Sequence, residues 1–261
     1  MLRKVVVVLL CSCLSFSTLE VHAWPSQKSR EEYEKQGHII WEAKTDQPIM
    51  ALTFDDGPDP TQTIAILNVL KKYGVKSTFF VLGRRVKQHP EIVKKVMADG
   101  HEIANHTFSH AYFNAGSTSS FIRQEIERTQ LAVYEVTGVK PTLFRPPGGN
   151  YNDRIINTAH LLGLKSVMWS WHQDTKDWTH PGVHKICDKV LKNAHNGDIV
   201  LFHDYVPGKT QTVQALETIL PELQKKGFRL VTVSDLIRQS GNQQKVNQPD
   251  NHRAKAKHVV K

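Results

Sequence analysis

The chain has 261 residues, 34 lysines and arginines against 25 acidic residues, and three cysteines, for a formal charge of +9. That length accommodates one large domain with a full core. The surplus positive charge suits an anionic surface such as a cell wall, and with no recognition motif or aromatic–basic interleaving beside it, a nucleic-acid partner is excluded.

The first 23 residues have the layout of a secretory leader. Arg3 and Lys4 supply a positive start, Val5 to Phe16 is apolar, and Val21-His22-Ala23 places small residues ahead of Trp24. The apolar run is too short for ~30 Å of hydrocarbon, so stable membrane insertion after removal of the leader is not expected. Lipid attachment at Cys13 is the alternative: Leu10 and Ser12 sit at lipobox positions, although Cys11 between them is atypical. Cleavage leaves a charge of +8 and a single cysteine, Cys187. Without an internal disulfide, stability must come from a packed core. These features predict a secreted, extracellular, wall-associated protein, with a monomer as the default expectation.

Residues 24–48 are charged and weakly patterned, and read as a lead-in segment. From there strand-like and helix-like stretches alternate. Apolar runs at Ile49–Phe54, Ser77–Leu82, Glu102–Asn105, Thr142–Arg145, Ser166–Trp171, Asp198–His203 and Arg229–Val233 predict strands. Helices are predicted over Thr61–Tyr73, Pro90–Asp99, Ser119–Thr137, Asp153–Leu162, Val183–Ala194 and Thr212–Lys226. Gly74, Gly100, Gly138, Gly163, Gly197 and Gly227 follow the helical patterns as C-terminal caps do. Strands alternating with helices imply parallel pairing, and this count favours an incomplete, distorted (β/α) barrel of about seven strands, a single domain over 49–238. No glycine-rich dinucleotide turn is present. From Ser240 the chain is polar and basic, so 239–261 is expected to be a disordered tail.

Titratable residues collect at the strand ends. Asp55 and Asp56 close the first strand and His106 follows the third; Arg145 closes the fourth, Asp174 and Asp177 follow the fifth, and His203 and Asp204 close the sixth. In parallel α/β architectures these ends share one face, which carries the active site. His106 and His110, four residues apart, are expected on one face of a helical turn, where both can meet one ion. A carboxylate as third ligand completes a two-His, one-carboxylate set suited to one divalent metal, zinc first, with cobalt, nickel or manganese as alternatives. Of the two adjacent aspartates, one is then free to act as a base. His203 is placed as a general acid and Asp177 to orient it. Leu201, on the same strand face, lines a small apolar pocket, Trp178 offers an indole to a sugar face, and Arg145 can fix a carboxylate.

Taken in order, Thr53-Phe-Asp-Asp-Gly-Pro58, His106-Thr-Phe-Ser-His110, Arg145-Pro-Pro147, Asp174-Thr-Lys-Asp-Trp178 and Leu201-Phe-His203 resemble the five motifs of the polysaccharide deacetylase family, metal-dependent carbohydrate esterases that include chitin and peptidoglycan deacetylases. The resemblance runs from about Ile49 to Ile237. It implies a distorted (β/α) barrel with Asp55 as catalytic base and Asp56, His106 and His110 as metal ligands. Arg145 would tether Asp55, Asp177 would tune the acid His203, and Leu201 and Trp178 would shape the acetyl pocket. After Arg-Pro-Pro the family usually has an aromatic residue whose N–H helps hold the oxyanion; here Gly148 keeps the N–H but not the ring. The implied reaction is removal of N-acetyl groups from a peptidoglycan or chitin-type polymer, with acetyl-xylan O-deacetylation or a catalytically silent sugar-binding module as the other readings.

Overall fold

A computed structural model describes residues 28–208 and 210–246. The expected leader, Cys13 and the last part of the tail lie outside the described residues. Among the described residues are helices α1 (Arg30–Gln36), α2 (Gln62–Lys72), α3 (Gly83–Gln88), α4 (Pro90–Ala98), α5 (Ser119–Thr137), α6 (Asp153–Leu161), α7 (Val183–Lys192), α8 (Thr212–Lys225) and α9 (Val233–Val246). The strands are β1 (Ile39–Ile40), β2 (Ile49–Asp55), β3 (Thr78–Val81), β4 (Glu102–Asn105), β5 (Leu143–Phe144), β6 (Lys165–Val167), β7 (Ile199–His203) and β8 (Arg229–Val231). No helix among them is long and apolar enough to cross a membrane.

Seven strands form the path β1-β6-β5-β4-β3-β2-β7, and β8 pairs with the start of β2. All these pairings are parallel. This is the predicted incomplete barrel, extended by two elements from the supposed lead-in. β1 pairs with β6 through Ile39 and Ser166, and α1 begins at a capping box in which Ser29 and Glu32 satisfy each other's backbone N–H groups. Tyr33 and Trp41 of this segment are buried with Ile156 and Met168. Residues 239–246, expected in the tail, belong instead to α9, which continues to Val246 and buries Val233 and Leu236 in the core.

The barrel is closed by irregular chain. After β6, Ser170 donates its N–H to the Ile199 carbonyl at 3.0 Å, Thr175 Oγ1 donates to the Leu201 carbonyl at 2.7 Å, and Asp174 forms a lone parallel bridge to Leu201. The chain leaving β1 is tied in by the Ala43 N–H on the Gly197 carbonyl at 2.9 Å.

Alternation along β2 decides what faces inward. Met50, Leu52 and Phe54 belong to the large core beneath the helices, with Phe54 stacked on Phe79 and Phe202 at 5.0 and 5.7 Å. Ile49 and Ala51 belong to the core inside the barrel, so the period of two carries Thr53 and Asp55 to the interior as well. The same parity puts Ile199, Leu201 and His203 of β7 inside. Asp55 and His203 are direct register partners. Just beyond, Asp204 pins the β2–α2 loop: its Oδ1 accepts from the Gly57 N–H at 2.9 Å and its Oδ2 from Thr63 Oγ1 at 2.6 Å. The cysteine Cys187 is buried and free.

Two predictions follow from these contacts. Gly197 has φ +86° and an added Cβ would lie 1.8 Å from the Ala43 carbonyl oxygen, so Gly197→Ala should destabilise by about 2–4 kcal/mol in chemical denaturation; a neutral variant would show that this closure is not rigid. Burial pushes the Asp204 carboxyl up to about 7, against the hydrogen bonds from Thr63 and Gly57. The folded chain therefore holds a proton that the unfolded chain releases near pH ~4, and stability is lost as pH rises from about 4 through about 7. Asp204→Asn should gain on the wild type between pH 5 and pH 8 when urea midpoints are compared, and parallel pH curves would refute the assignment.

Candidate active site

β2 ends at Asp55, whose side chain points into the barrel, and the next residue turns the chain back. Asp56 has φ 80°, a left-handed conformation uncommon outside glycine. That reversal lets two adjacent carboxylates reach one cleft, which an extended strand would forbid. Asp55 Oδ1 accepts from Arg145 Nη1 at 2.7 Å, while its Oδ2 lies 3.8 Å from His106 Nε2.

His106 and His110 do come together, but not on a helical turn. The segment after β4 is a loop in which Thr107 and His110 both have positive φ, 68° and 63°. Its shape is set from behind: Asn105 Oδ1 accepts from the Thr107 N–H at 2.9 Å, and buried Glu125 on α5 accepts from the N–H groups of Phe108 and Ser109 at 3.0 and 2.8 Å. Side-chain acceptors thus occupy backbone donors that a helix would have used.

Asp56 Oδ1 lies 3.1 Å from His110 Nε2 and 3.5 Å from His106 Nε2. Yet this oxygen is buried without a hydrogen-bond partner of good geometry. His106 turns its other nitrogen, Nδ1, to the Arg145 carbonyl at 2.8 Å; with a proton there, Nε2 presents its lone pair to the Asp56 side. Burial lowers the pKa of His106, which favours this neutral form. Burial also resists charge on Asp56, but His110, His106 and His203 outweigh it and hold the carboxyl down at about 2. A carboxylate and two imidazoles with ligand atoms all within 4.8 Å of one another fit one divalent cation, and the orphaned oxygen is what such an ion would satisfy.

Opposite stands His203. Its Nδ1 meets Asp177 Oδ1 at 2.7 Å, and Asp177 Oδ2 accepts from the His203 N–H at 2.9 Å and Thr212 Oγ1 at 2.6 Å. Burial works against charge on His203, but the Asp177 hydrogen bond and charge, with Asp55 and Asp56 nearby, push its pKa up to about 9.

The cleft holds about 420 Å³ and is lined by Asp55, Asp56, His106, His110, Gly148, Trp178, Leu201 and His203. Arg145 and Asp177 are absent from that lining and only 0% and 1% exposed; they position Asp55 and His203 from behind. Sequence reading missed Tyr112, Trp169, His180, Tyr205 and Pro207, which with Gly149 and Asp174 complete the walls. Tyr112 answers the loss of an aromatic after Arg-Pro-Pro. Gly148 has φ +65°, and a Cβ there would lie 2.7 Å from Tyr112 Cε1. The ring therefore occupies the space a side chain at 148 would need, and it packs edge-on against His110 at 4.8 Å. An aromatic two residues after the second imidazole was the available signal.

Comparison with known proteins agrees with this geometry. The family model for polysaccharide deacetylase matches residues 42–167. A peptidoglycan-N-acetylglucosamine deacetylase of Bacillus cereus is 47% identical over 209 residues, covering 80% of this chain and 97% of that protein. The crystal structure of a peptidoglycan N-acetylglucosamine deacetylase bound to a naphthyl N-hydroxybenzamide superposes with TM-score 0.77 at 33% identity, covering 81% of this chain and 98% of that one. A family 4 acetyl xylan esterase from Clostridium thermocellum in complex with a cobalt ion gives TM-score 0.69 at 33% identity, covering 74% and 92%. Similarity at this level, spread over the barrel that carries the site, shows that the chain belongs to the polysaccharide deacetylase family.

Proposed function

We propose that the chain is a secreted, metal-dependent N-deacetylase of peptidoglycan N-acetylglucosamine. The observation that carries this reading is the register pair Asp55–His203, a carboxylate and an imidazole side by side on the barrel's inner face, next to the Asp56–His106–His110 cradle. A bound divalent ion would supply Lewis-acid polarisation of the acetyl carbonyl and an acidified water.

The chain's own residues do the rest. Asp55, fixed by Arg145, takes a proton from the attacking water. His203, held by Asp177 through Nδ1, presents Nε2 to the departing amine nitrogen and gives it a proton. The Gly148 N–H is the proposed donor to the developing oxyanion. Leu201 offers an apolar contact to the acetyl methyl, and Trp178 and Tyr112 offer ring faces to the sugar. Peptidoglycan is the preferred polymer because the relative with that printed activity is matched along 97% of its length, and because the +9 charge suits an anionic wall. Similarity to an acetyl xylan esterase keeps an O-acetyl substrate as the second reading. A silent sugar-binding module has no use for a base and an acid each held by a buried partner. Zinc is the ion this donor set suits first.

Acetate release from purified peptidoglycan, chitooligomers and acetyl-xylan, each with and without chelator, tests the reading. Chelator-sensitive release, fastest from peptidoglycan, is expected; release only from acetyl-xylan would overturn the substrate, and chelator-resistant release the metal dependence. Asp55→Asn should lower kcat about 10²–10⁴-fold with metal content retained, whereas His110→Ala should lose the metal; metal loss in Asp55→Asn would reverse the two roles. Asp177→Asn removes the charge that favours protonated His203, so the acid loses its proton at lower pH. The alkaline limb of the kcat–pH profile should therefore move to lower pH, and an unmoved limb would take His203 out of the acid role.

A further inference from the structure

A second group of imidazoles and a carboxylate converges at the other end of β7. His172 stands in a short turn of 3-10 helix after β6, His195 precedes β7, and Asp198 lies just ahead of its first residue. Asp198 is 2% exposed, and its two oxygens are used differently. Oδ2 accepts from the His195 N–H at 2.8 Å and from Gln173 Nε2 at 2.9 Å. Oδ1 faces His172 Nε2 at 2.8 Å. His195 Nδ1 approaches the same His172 nitrogen at 3.3 Å, with the two rings perpendicular and their centroids 4.9 Å apart.

One proton on His172 satisfies the Asp198 contact but not the His195 contact as well. A single proton on His172 Nε2 bonds to Asp198 and leaves the His195 nitrogen facing a hydrogen already committed. With the proton on His195 instead, His172 and Asp198 turn lone pairs on each other at 2.8 Å. A cation serves all three donor atoms at once, and these atoms lie within 4.8 Å of one another. Tetrahedral zinc, with bonds of about 2.0–2.2 Å, sets its ligand atoms roughly 3.3–3.6 Å apart. The 3.3 Å separation falls in that range and the 2.8 Å one is about half an ångström short of it, against 3.5 and 3.1 Å at the Asp56 centre. Asp198 is anchored, whereas His195 is exposed and free to adjust, with solvent at hand for a fourth ligand.

We propose that His172, His195 and Asp198 form a second site for a divalent transition-metal ion of the zinc class. His203 lies five residues beyond Asp198 along β7, about 16 Å at ~3.3 Å per residue, so the site is distinct from the Asp56 centre. Its place in the fold gives it a task. The irregular chain that closes the barrel begins beside His172 and goes on to deliver Asp177 and Trp178 to the cleft, and an ion there clips that chain to the start of β7.

The full chain, stripped with chelator and titrated with Zn²⁺ by calorimetry and metal analysis, tests this. Wild type should bind two ions per chain, His195→Gln one, His110→Ala one, and the His110→Ala, His195→Gln double variant none. Zinc should raise the melting temperature of His110→Ala but not of the double variant, and zinc-loaded His195→Gln should keep its deacetylase activity. One ion per wild-type chain, or a second ion that persists in His195→Gln, would overturn the proposal.

Discussion

The buried ion pair between Arg145 and Asp55 is the constraint on which both the barrel and the cleft depend. A guanidinium with no exposure survives in a low-dielectric interior only if its charge is paired and its N–H groups are satisfied. Arg145 meets both conditions with the Val167 carbonyl, the Met168 carbonyl, Thr53 Oγ1 and Asp55 Oδ1, and its carbon centre lies 4.0 Å from the Phe80 ring centroid. Those partners belong to β2, β3 and the end of β6, so one side chain ties half of the barrel wall together. Breaking such a pair by removing one partner costs on the order of 3–5 kcal/mol, because the other charge is left alone. The Arg145 carbonyl meanwhile holds His106, so one residue sets the geometry of both the proposed base and a proposed metal ligand.

A two-row construction recurs around the cleft. The front row touches the open space: Asp55, Asp56, His106, His110 and His203. Behind it stands a buried row, with Arg145 supporting Asp55, Asp177 supporting His203, and Glu125 supporting the loop between the two imidazoles. The buried residues spend their hydrogen-bonding capacity on backbone and side chains alike, which fixes the front row before any substrate arrives. Preorganisation of this kind is what electrostatic catalysis requires, since no reorganisation is then left for the moment of reaction.

The front row was legible because strand parity and strand ends are written in the residue pattern: Thr53 and Asp55 follow Ile49 and Ala51 on one face, and His203 follows Leu201. Arg145 and Asp177 were legible as partners of those groups, though not as residues sealed off from the cleft. What could not be read lies where backbone conformation escapes any period. The left-handed turn at Asp56 follows no period, and the loop from His106 to His110 depends on Asn105 and on Glu125, which is 16 residues beyond Ser109 in sequence. The α1 capping box, Ser29 to Glu32, was present as a motif but sat in a stretch with too little apolar periodicity to suggest packing. Tyr112 showed in the sequence only as an aromatic two residues after His110; that it forms a wall depends on the space left at Gly148, a contact made through the fold.

The irregular closure of the barrel has a consequence for how such a molecule can change. In a paired strand, one inserted residue reverses the inside–outside alternation of everything after it. The stretch from Ser170 to Thr175 touches β7 through isolated hydrogen bonds and a single bridge, so its length carries no parity. Residues can be added or lost there without turning the barrel's side chains inside out. The wall that presents Trp178 to the cleft can thus be reshaped for a wider or narrower polymer, while the ladder that holds Asp55 beside His203 is inherited intact.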